Sequence, residues 1–194
     1  MRILKNICAQ LHRFVFWALI LSLLWAWIYT FVGDTSREKK VILYVDAYAL
    51  DQRGLGLRLE EKCLPAGIKM LQVRSFDYDI FGGEINGDLY LMKESVLRTT
   101  LEESPEKLAP LVLPAGQTGY EWGGKCWGIL AFDPETQRGP AMDYIQYAPL
   151  LNPEQEAYYL CIDADGPHFS SNEGAVDNAA WEVGLALLQL TSDR

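Results

Sequence analysis

The sequence predicts a single three-layer α/β domain with a mostly parallel mixed sheet, preceded by one N-terminal transmembrane helix. Three observations predict it. An uncharged apolar run, Phe14 to Val32, stands near the start of the chain. A strand–helix–strand–helix–strand pattern follows, which needs crossover connections and therefore a parallel sheet. A Gly-Gly hairpin and a further apolar strand then add mixed pairings.

Length and composition agree with that class. A chain of 194 residues holds one domain and an appendage. With 49% hydrophobic and 22% charged residues it excludes wholesale disorder, a collagen-like repeat and a polytopic membrane protein. Charge is unevenly spread. Residues 1–33 carry Arg2, Lys5 and Arg13 and no acid, which leaves −12 on the rest of a chain whose net charge is −9. So acidic a domain repels phosphate backbones, so no nucleic-acid partner is expected.

The run from Phe14 to Val32 has 19 residues, of which only Ser22 and Thr30 are clearly polar. As a helix it spans roughly 28 Å, about the hydrocarbon core of a bilayer. Trp25, Trp27 and Tyr29 crowd its C-terminal end, where amphipathic rings favour the headgroup region. A cleavable signal peptide has a shorter core and a small-residue cleavage site. Here the end is bulky, and cleavage near Gly33 is poorly specified. Residues 1–33 are therefore read as an uncleaved signal anchor, with a cleaved peptide as the competing reading. The expected location is the cell membrane, single-pass, with the domain facing outside.

Residues 34–40 read as a polar linker and 41–194 as the domain. Val41–Val45 is a continuous β-branched and apolar run, as buried parallel strands show. Asp46-Ala-Tyr48 follows as a turn. Leu50, Leu55, Leu57, Leu59 and Cys63 mark an amphipathic helix, ended by Pro65-Ala-Gly67. Ile68–Val73 is the second strand, and Ser75 to Asp79 a polar turn. Gly82-Gly83 and Asn86-Gly87 are turn signals. Asp88–Met92 is the third strand, and Lys93-Glu94-Ser95 leads into a helix reaching about Leu101. Three prolines make Ser104 to Thr118 a loop. Tyr120–Trp122, Gly123-Gly124 and Lys125–Trp127 form a hairpin whose second strand runs on to Phe132. Tyr144–Tyr147 and Tyr158–Ile162 are further strands. Asp177 stands where it would cap a last helix, Asn178–Leu190, with one broad apolar face.

These pieces, in this order, resemble a known family. VILYVDAYALD, GIKMLQVRSFD, NGDLYLMKES and the hairpin YEWGGKCWGI are similar to strands and a hairpin of the extracellular solute-binding proteins of ABC importers, which have the periplasmic-binding type 2 fold. YYLCIDADGPH with the Ala-rich helix after it resembles that family's closing strand and helix. The likeness covers most of residues 40–190. It implies an externally facing, non-catalytic domain that binds a small solute. Members have two lobes, whereas this chain has room for one with a small addition, so the likeness is to a reduced, single-lobe relative. The hairpin also lacks the family's proline, since Leu130 follows Ile129. An interaction module that kept the fold, lost the ligand and binds a membrane-protein partner is the alternative.

In open parallel sheets, ligands sit beyond the carboxyl ends of the strands. Those ends are Asp46 and Tyr48, Ser75 and Asp77, and Lys93 and Ser95, with Tyr120 and Trp122 expected to flank the same edge. All eight are candidate ligand-binding residues. The structural alternative is that Asp46, Ser75 and Ser95 cap helices or turns. Cys126-Trp127 is similar to the Cys-Trp pair of papain-like proteases, with His168 as base. Its cysteine lies in a hairpin strand, however, not at a helix N-terminus where a thiolate is favoured. Cys63, Cys126, Cys161 and His168 lack zinc-site spacing, and the Asp163–Asp165 loop fails the calcium pattern at later positions. Neither a P-loop nor a GxSxG motif occurs. No catalytic residue, metal or cofactor is expected.

Overall fold

The computed structural model of the chain describes residues 2–33, 35–76, 86–147, 156–169 and 178–190. The chain divides into two compact units, 1–36 and 37–194. The first is one helix, α1 (Arg2–Gly33). Most of its described apolar side chains are exposed, among them Phe14, Leu23 and Trp25. Among the described residues no helix is long and apolar enough to cross a membrane. The side chains described in α1 are those of Leu11 and residues 13–28, so the end of the apolar run, 29–32, falls outside that statement.

The second unit is built on a mixed sheet of six strands. In chain order they are β1 (Lys40–Val45), β3 (Met70–Ser75), β4 (Leu89–Lys93), β5 (Gly119–Trp122), β6 (Lys125–Phe132) and β8 (Tyr158–Ile162). A separate ribbon pairs β2 (Ala49–Leu50) with β7 (Ile145–Gln146). The large sheet has the order β3-β1-β4-β8-β6-β5. β1 is parallel to both neighbours, whereas β4–β8, β8–β6 and β6–β5 are antiparallel. The expected mostly parallel sheet is thus corrected to a mixed one with two parallel and three antiparallel pairings. The parallel part ends at β4 because β8 enters beside it from the opposite direction.

Helices cover both faces. On one face, α2 (Gln52–Lys62) and α4 (Ala179–Leu188) bring Leu55, Leu59, Val183 and Leu187 onto Val41, Leu43, Leu89, Leu91 and Leu160. On the other, α3 (Glu94–Glu103) sets Leu97 and Leu101 against Tyr90, Met92 and Cys161. The alternation along β4 explains the division: Leu89 and Leu91 point to the first face, Tyr90 and Met92 to the second. Each such leucine contributes about 1.5–3 kcal/mol by burial. At Gly184 in α4 an added Cβ would lie 3.1 Å from Leu160, so the helix meets the sheet closely there.

Local chemistry sets the boundaries. Asp51 caps α2 by accepting from Gly54 N at 2.9 Å. Among the described helices none is capped by Asp46 or Ser75, and α3 starts after Lys93 with no side-chain cap. Ser75 belongs to β3 rather than to a turn. The expected Asp46–Tyr48 turn passes straight into β2. Gly123 and Gly124, with φ of +58° and +76°, make the tight turn between β5 and β6. The proline-rich loop includes one 3-10 turn, Pro105–Lys107, and bridges Leu108↔Asp163 and Leu111↔Cys126, which fill the gap where β8 and β6 diverge. Asp77, the turn around residues 77–85 and the Asp177 cap lie outside the described residues.

At the amino end of the parallel strands a buried ion pair closes the domain. The Asp88 side chain is fully buried and its Oδ2 accepts from Arg37 Nη1 at 2.6 Å and from Ile42 N at 2.7 Å. Arg37 also donates to Lys40 O and Gly87 O, and the buried His168 donates from Nε2 to Arg37 O at 3.1 Å. Arg37 to Lys40, read above as linker, are therefore built into the domain. Asp88→Ala should cost about 3 kcal/mol, the low end for a broken buried pair, because Arg37 keeps 35% of its side chain in solvent. Chemical unfolding of the full chain in mild detergent measures it. A loss below about 1 kcal/mol, the scale of an exposed pair, would contradict this role.

Candidate functional site

Two neighbouring parallel strands, β1 and β4, send their chains to opposite faces. After β1 the chain runs through β2 into α2 on one face; after β4 it enters α3 on the other. This is a topological switch point, where an α/β sheet leaves a crevice beyond its carboxyl ends. Asp46 follows β1 and Lys93 ends β4, so the two flank it. Asp46 N donates to Leu91 O at 2.8 Å, which holds the loop against β4. Lys93 Nζ lies 3.3 Å from Asp46 Oδ1, with both side chains about four-fifths buried. The same ammonium stands 4.8 Å from the centre of the Tyr48 ring, itself exposed. Tyr48 N donates to Gln146 O at 3.0 Å, so the β2–β7 ribbon fixes this ring's backbone.

Beneath these groups lies an aromatic trio. Phe132 stacks on Tyr147 with centroids 4.7 Å apart, and Tyr158 meets Tyr147 edge-on at 5.0 Å. Tyr158 donates its hydroxyl proton to Tyr147 O, and Tyr147 donates to Pro140 O, each at 2.8 Å. Burial, with the nearby charge of Asp46 and further contributions from Tyr48 and Glu156, pushes the Tyr158 hydroxyl well above the ordinary tyrosine range. Burial does the same to Tyr147.

Of the residues expected here, the structure brings together Asp46, Tyr48 and Lys93. Ser75 ends β3 opposite Val45, one strand away from Asp46 on the same edge. Ser95 lies in the first turn of α3, where its N–H donates to Glu156 Oε2 at 3.1 Å. The chain's own carboxylate thus occupies that helix end. Tyr120 and Trp122 are not at this edge. Lys93 is level with Tyr158 and Phe132, while Trp122 pairs with Lys125, at the other end of β6. Tyr120 instead packs on Tyr159 at 5.3 Å on the α3 face. The hairpin register, which composition does not set, makes the difference. Glu156 and Gln146 were not signalled by any motif; both act through backbone contacts that only the folded chain creates.

The remaining sequence candidates have local partners. Cys126 Sγ lies 3.4 Å from Gly128 O, and burial pushes its thiol up, against thiolate formation. His168 Nε2 meets Arg37 O at 3.1 Å. Cys63, Cys126 and Cys161 are free thiols. Among the described residues no cluster of three or more His, Cys, Asp or Glu side chains has metal-site geometry. A groove of about 330 Å³ lies between α2 and the edge strand β3, lined by Arg53, Leu57, Glu60 and Met70 among others. There Glu60 Oε1 accepts from Leu71 N at 2.9 Å, which blunts the open sheet edge. No protein-family model, curated protein or solved structure matches the chain.

The Asp46–Lys93–Tyr48 group offers a cation, a carboxylate and an aromatic face at one sheet edge. That chemistry suits orienting a small polar or charged molecule. A pH dependence follows from the tyrosines below it. Tyr90, hydrogen-bonded to Asp163 at 2.5 Å, is also raised, chiefly by burial. Unfolded tyrosines release protons near pH ~10, before these three. Their contribution to stability is thus complete below pH ~10 and is lost as pH rises toward their folded values. Unfolding midpoints should begin to fall above about pH 8, where unfolded cysteines ionise before the Cys126 and Cys161 thiols that burial raises, and fall more steeply above about pH 10. Tyrosinate absorbance should show Tyr90, Tyr147 and Tyr158, of the ten tyrosines, ionising only as the chain unfolds, with Tyr159, also raised by burial, ionising late. Free ionisation of all ten in the folded protein would contradict these burials.

Proposed function

We propose that this protein is a membrane-anchored, externally facing binding domain without catalysis, resembling a reduced solute-binding protein of ABC importers. α1 serves as the anchor. Its sequence carries a run of 19 uncharged residues, Phe14 to Val32, and a helix apolar on all sides needs a nonaqueous setting. The domain takes a small polar solute at the switch point. The observation that supports this most is the convergence of Asp46, Lys93 and Tyr48 at the carboxyl ends of adjacent parallel strands. An anionic group on the solute would compete for Lys93 Nζ, a donor group would take Asp46, and Tyr48 would cover its apolar part.

A second reading is an interaction module that kept the fold and lost the ligand. Glu156 on Ser95 N and the Asp46–Lys93 pair favour it, because the edge already satisfies its own polar groups. Ligand-dependent melting of the full chain separates the two, scanned against amino acids, sugars, peptides, polyamines and divalent metals. At 100 times its dissociation constant a ligand adds about 2.7 kcal/mol, roughly a 5–10 °C shift for a chain of this size. The solute reading predicts one chemical class with a saturable shift that Lys93→Ala or Asp46→Ala removes. A flat profile across the library would overturn it and leave the interaction module.

A further inference from the structure

The end of the sheet opposite the switch point carries an apolar strip. Trp122 pairs with Lys125 across the hairpin turn. On the other side, the antiparallel bridge Leu111↔Cys126 sets Val112 beside Lys125. Val112 is 89% exposed and Trp122 39% exposed. Both are therefore presented together at the tip, with a lysine between them and Gly123-Gly124 adding no side chain. Trp127 braces the tip by donating from Nε1 to Trp122 O at 2.9 Å. Register carries this tip past the amino ends of the central strands. Ile129 is level with Leu160 and Leu91, and Lys125 lies four residues before Ile129, whereas β4 begins only two residues before Leu91.

That end is also where the chain enters the domain. Arg37 is held there by Asp88 and Gly87. Only residues 33–36 separate Arg37 from the end of the apolar run at Val32. Fully extended, the five steps from Val32 to Arg37 reach at most about 17 Å. The three strand spacings between β4 and β5 add about 14 Å sideways. If α1 holds a bilayer, this end of the sheet is tethered within a short distance of it.

We propose that the β5–β6 tip, with Val112, is a second contact with the same lipid bilayer. Trp122 enters the headgroup boundary, where indole rings favour the interface. Val112 buries its side chain beside it, and Lys125 reaches back to the headgroups on its apolar stem. The domain's net charge of −12 opposes anionic lipid, so the contact rests on apolar insertion and forms on a zwitterionic surface. The inference depends on the membrane-anchor reading above. A protein partner in place of lipid would leave Trp122 unaffected by vesicles.

The test uses the full chain reconstituted into phosphatidylcholine vesicles. Flotation after an alkaline wash checks the anchor alone. The tip is read from tryptophan fluorescence with lipids brominated near the headgroup end of the acyl chain. The difference between wild type and Trp122→Phe isolates Trp122 among the six tryptophans. Brominated lipid should roughly halve the Trp122 emission, and Val112→Asp, at an exposed position that leaves the core intact, should reverse most of that loss. High salt should not change it. A chain that floats with Trp122 unquenched, or with quenching indifferent to Val112→Asp, overturns the tip contact while the anchor stands. A chain that does not float overturns both.

Discussion

One buried carboxylate organises this domain. Asp88 sits at the foot of β4 with its charge wholly out of solvent, a position tolerated only with a countercharge and further hydrogen bonds. Arg37 supplies the charge and Ile42 N a second donor. Asp88 N in turn donates to Ile42 O at 2.9 Å, and Asp163 N donates to Asp88 O at 3.1 Å. One residue therefore fixes the entering segment, the start of β1, the start of β4 and the loop after β8. His168 adds the link to α4, since it bonds Arg37 O while its own carbonyl accepts from Ala180 N. That junction reinforces the register that the β4–β8 ladder and its buried leucines set.

From that fixed end the rest follows in sequence. β1 and β4 lie side by side in parallel, and their chains must leave at the far end. Because α2 and α3 cover opposite faces, they leave in opposite directions, the arrangement at which α/β sheets bind ligands. Asp46, Lys93 and Tyr48 stand at that end, and Phe132, Tyr147 and Tyr158 pack together nearby. The polar group and the buried clamp are thus the two ends of the same pair of strands. One end is sealed by a charge that has no access to water; the other keeps a partly exposed cation beside an aromatic ring.

Much of this was legible in the sequence, because it is local. The apolar runs at Val41 and Tyr158, the Gly123-Gly124 turn and the amphipathic pattern before Pro65 each depend on near neighbours in the chain. Elements at those places appear within a few residues of the expected bounds. Strand direction beyond β4 was not legible. It depends on how β8, far along the chain, inserts between β4 and β6. The candidate site divides in the same way. Asp46 and Lys93 were recognisable as strand-end residues, while Trp122 was misplaced because its position depends on hairpin register against β8. The Asp88 clamp was hidden for a similar reason: Arg37 and Asp88 are 51 residues apart. Nothing in Asn86-Gly87-Asp88 distinguishes a buried carboxylate from a turn residue.

The central claim is that the Asp88 junction is part of the cooperative core and not a surface clasp. Native-state hydrogen exchange at the Ile42 amide, which donates to Asp88 Oδ2, tests it most directly. The account predicts that this amide exchanges only through global unfolding, with the same opening free energy and denaturant dependence as the slowest amides of β4 and β8. Exchange through a smaller, denaturant-independent opening, while β4 and β8 stay protected, would show that the domain holds together without the clamp and would contradict the account.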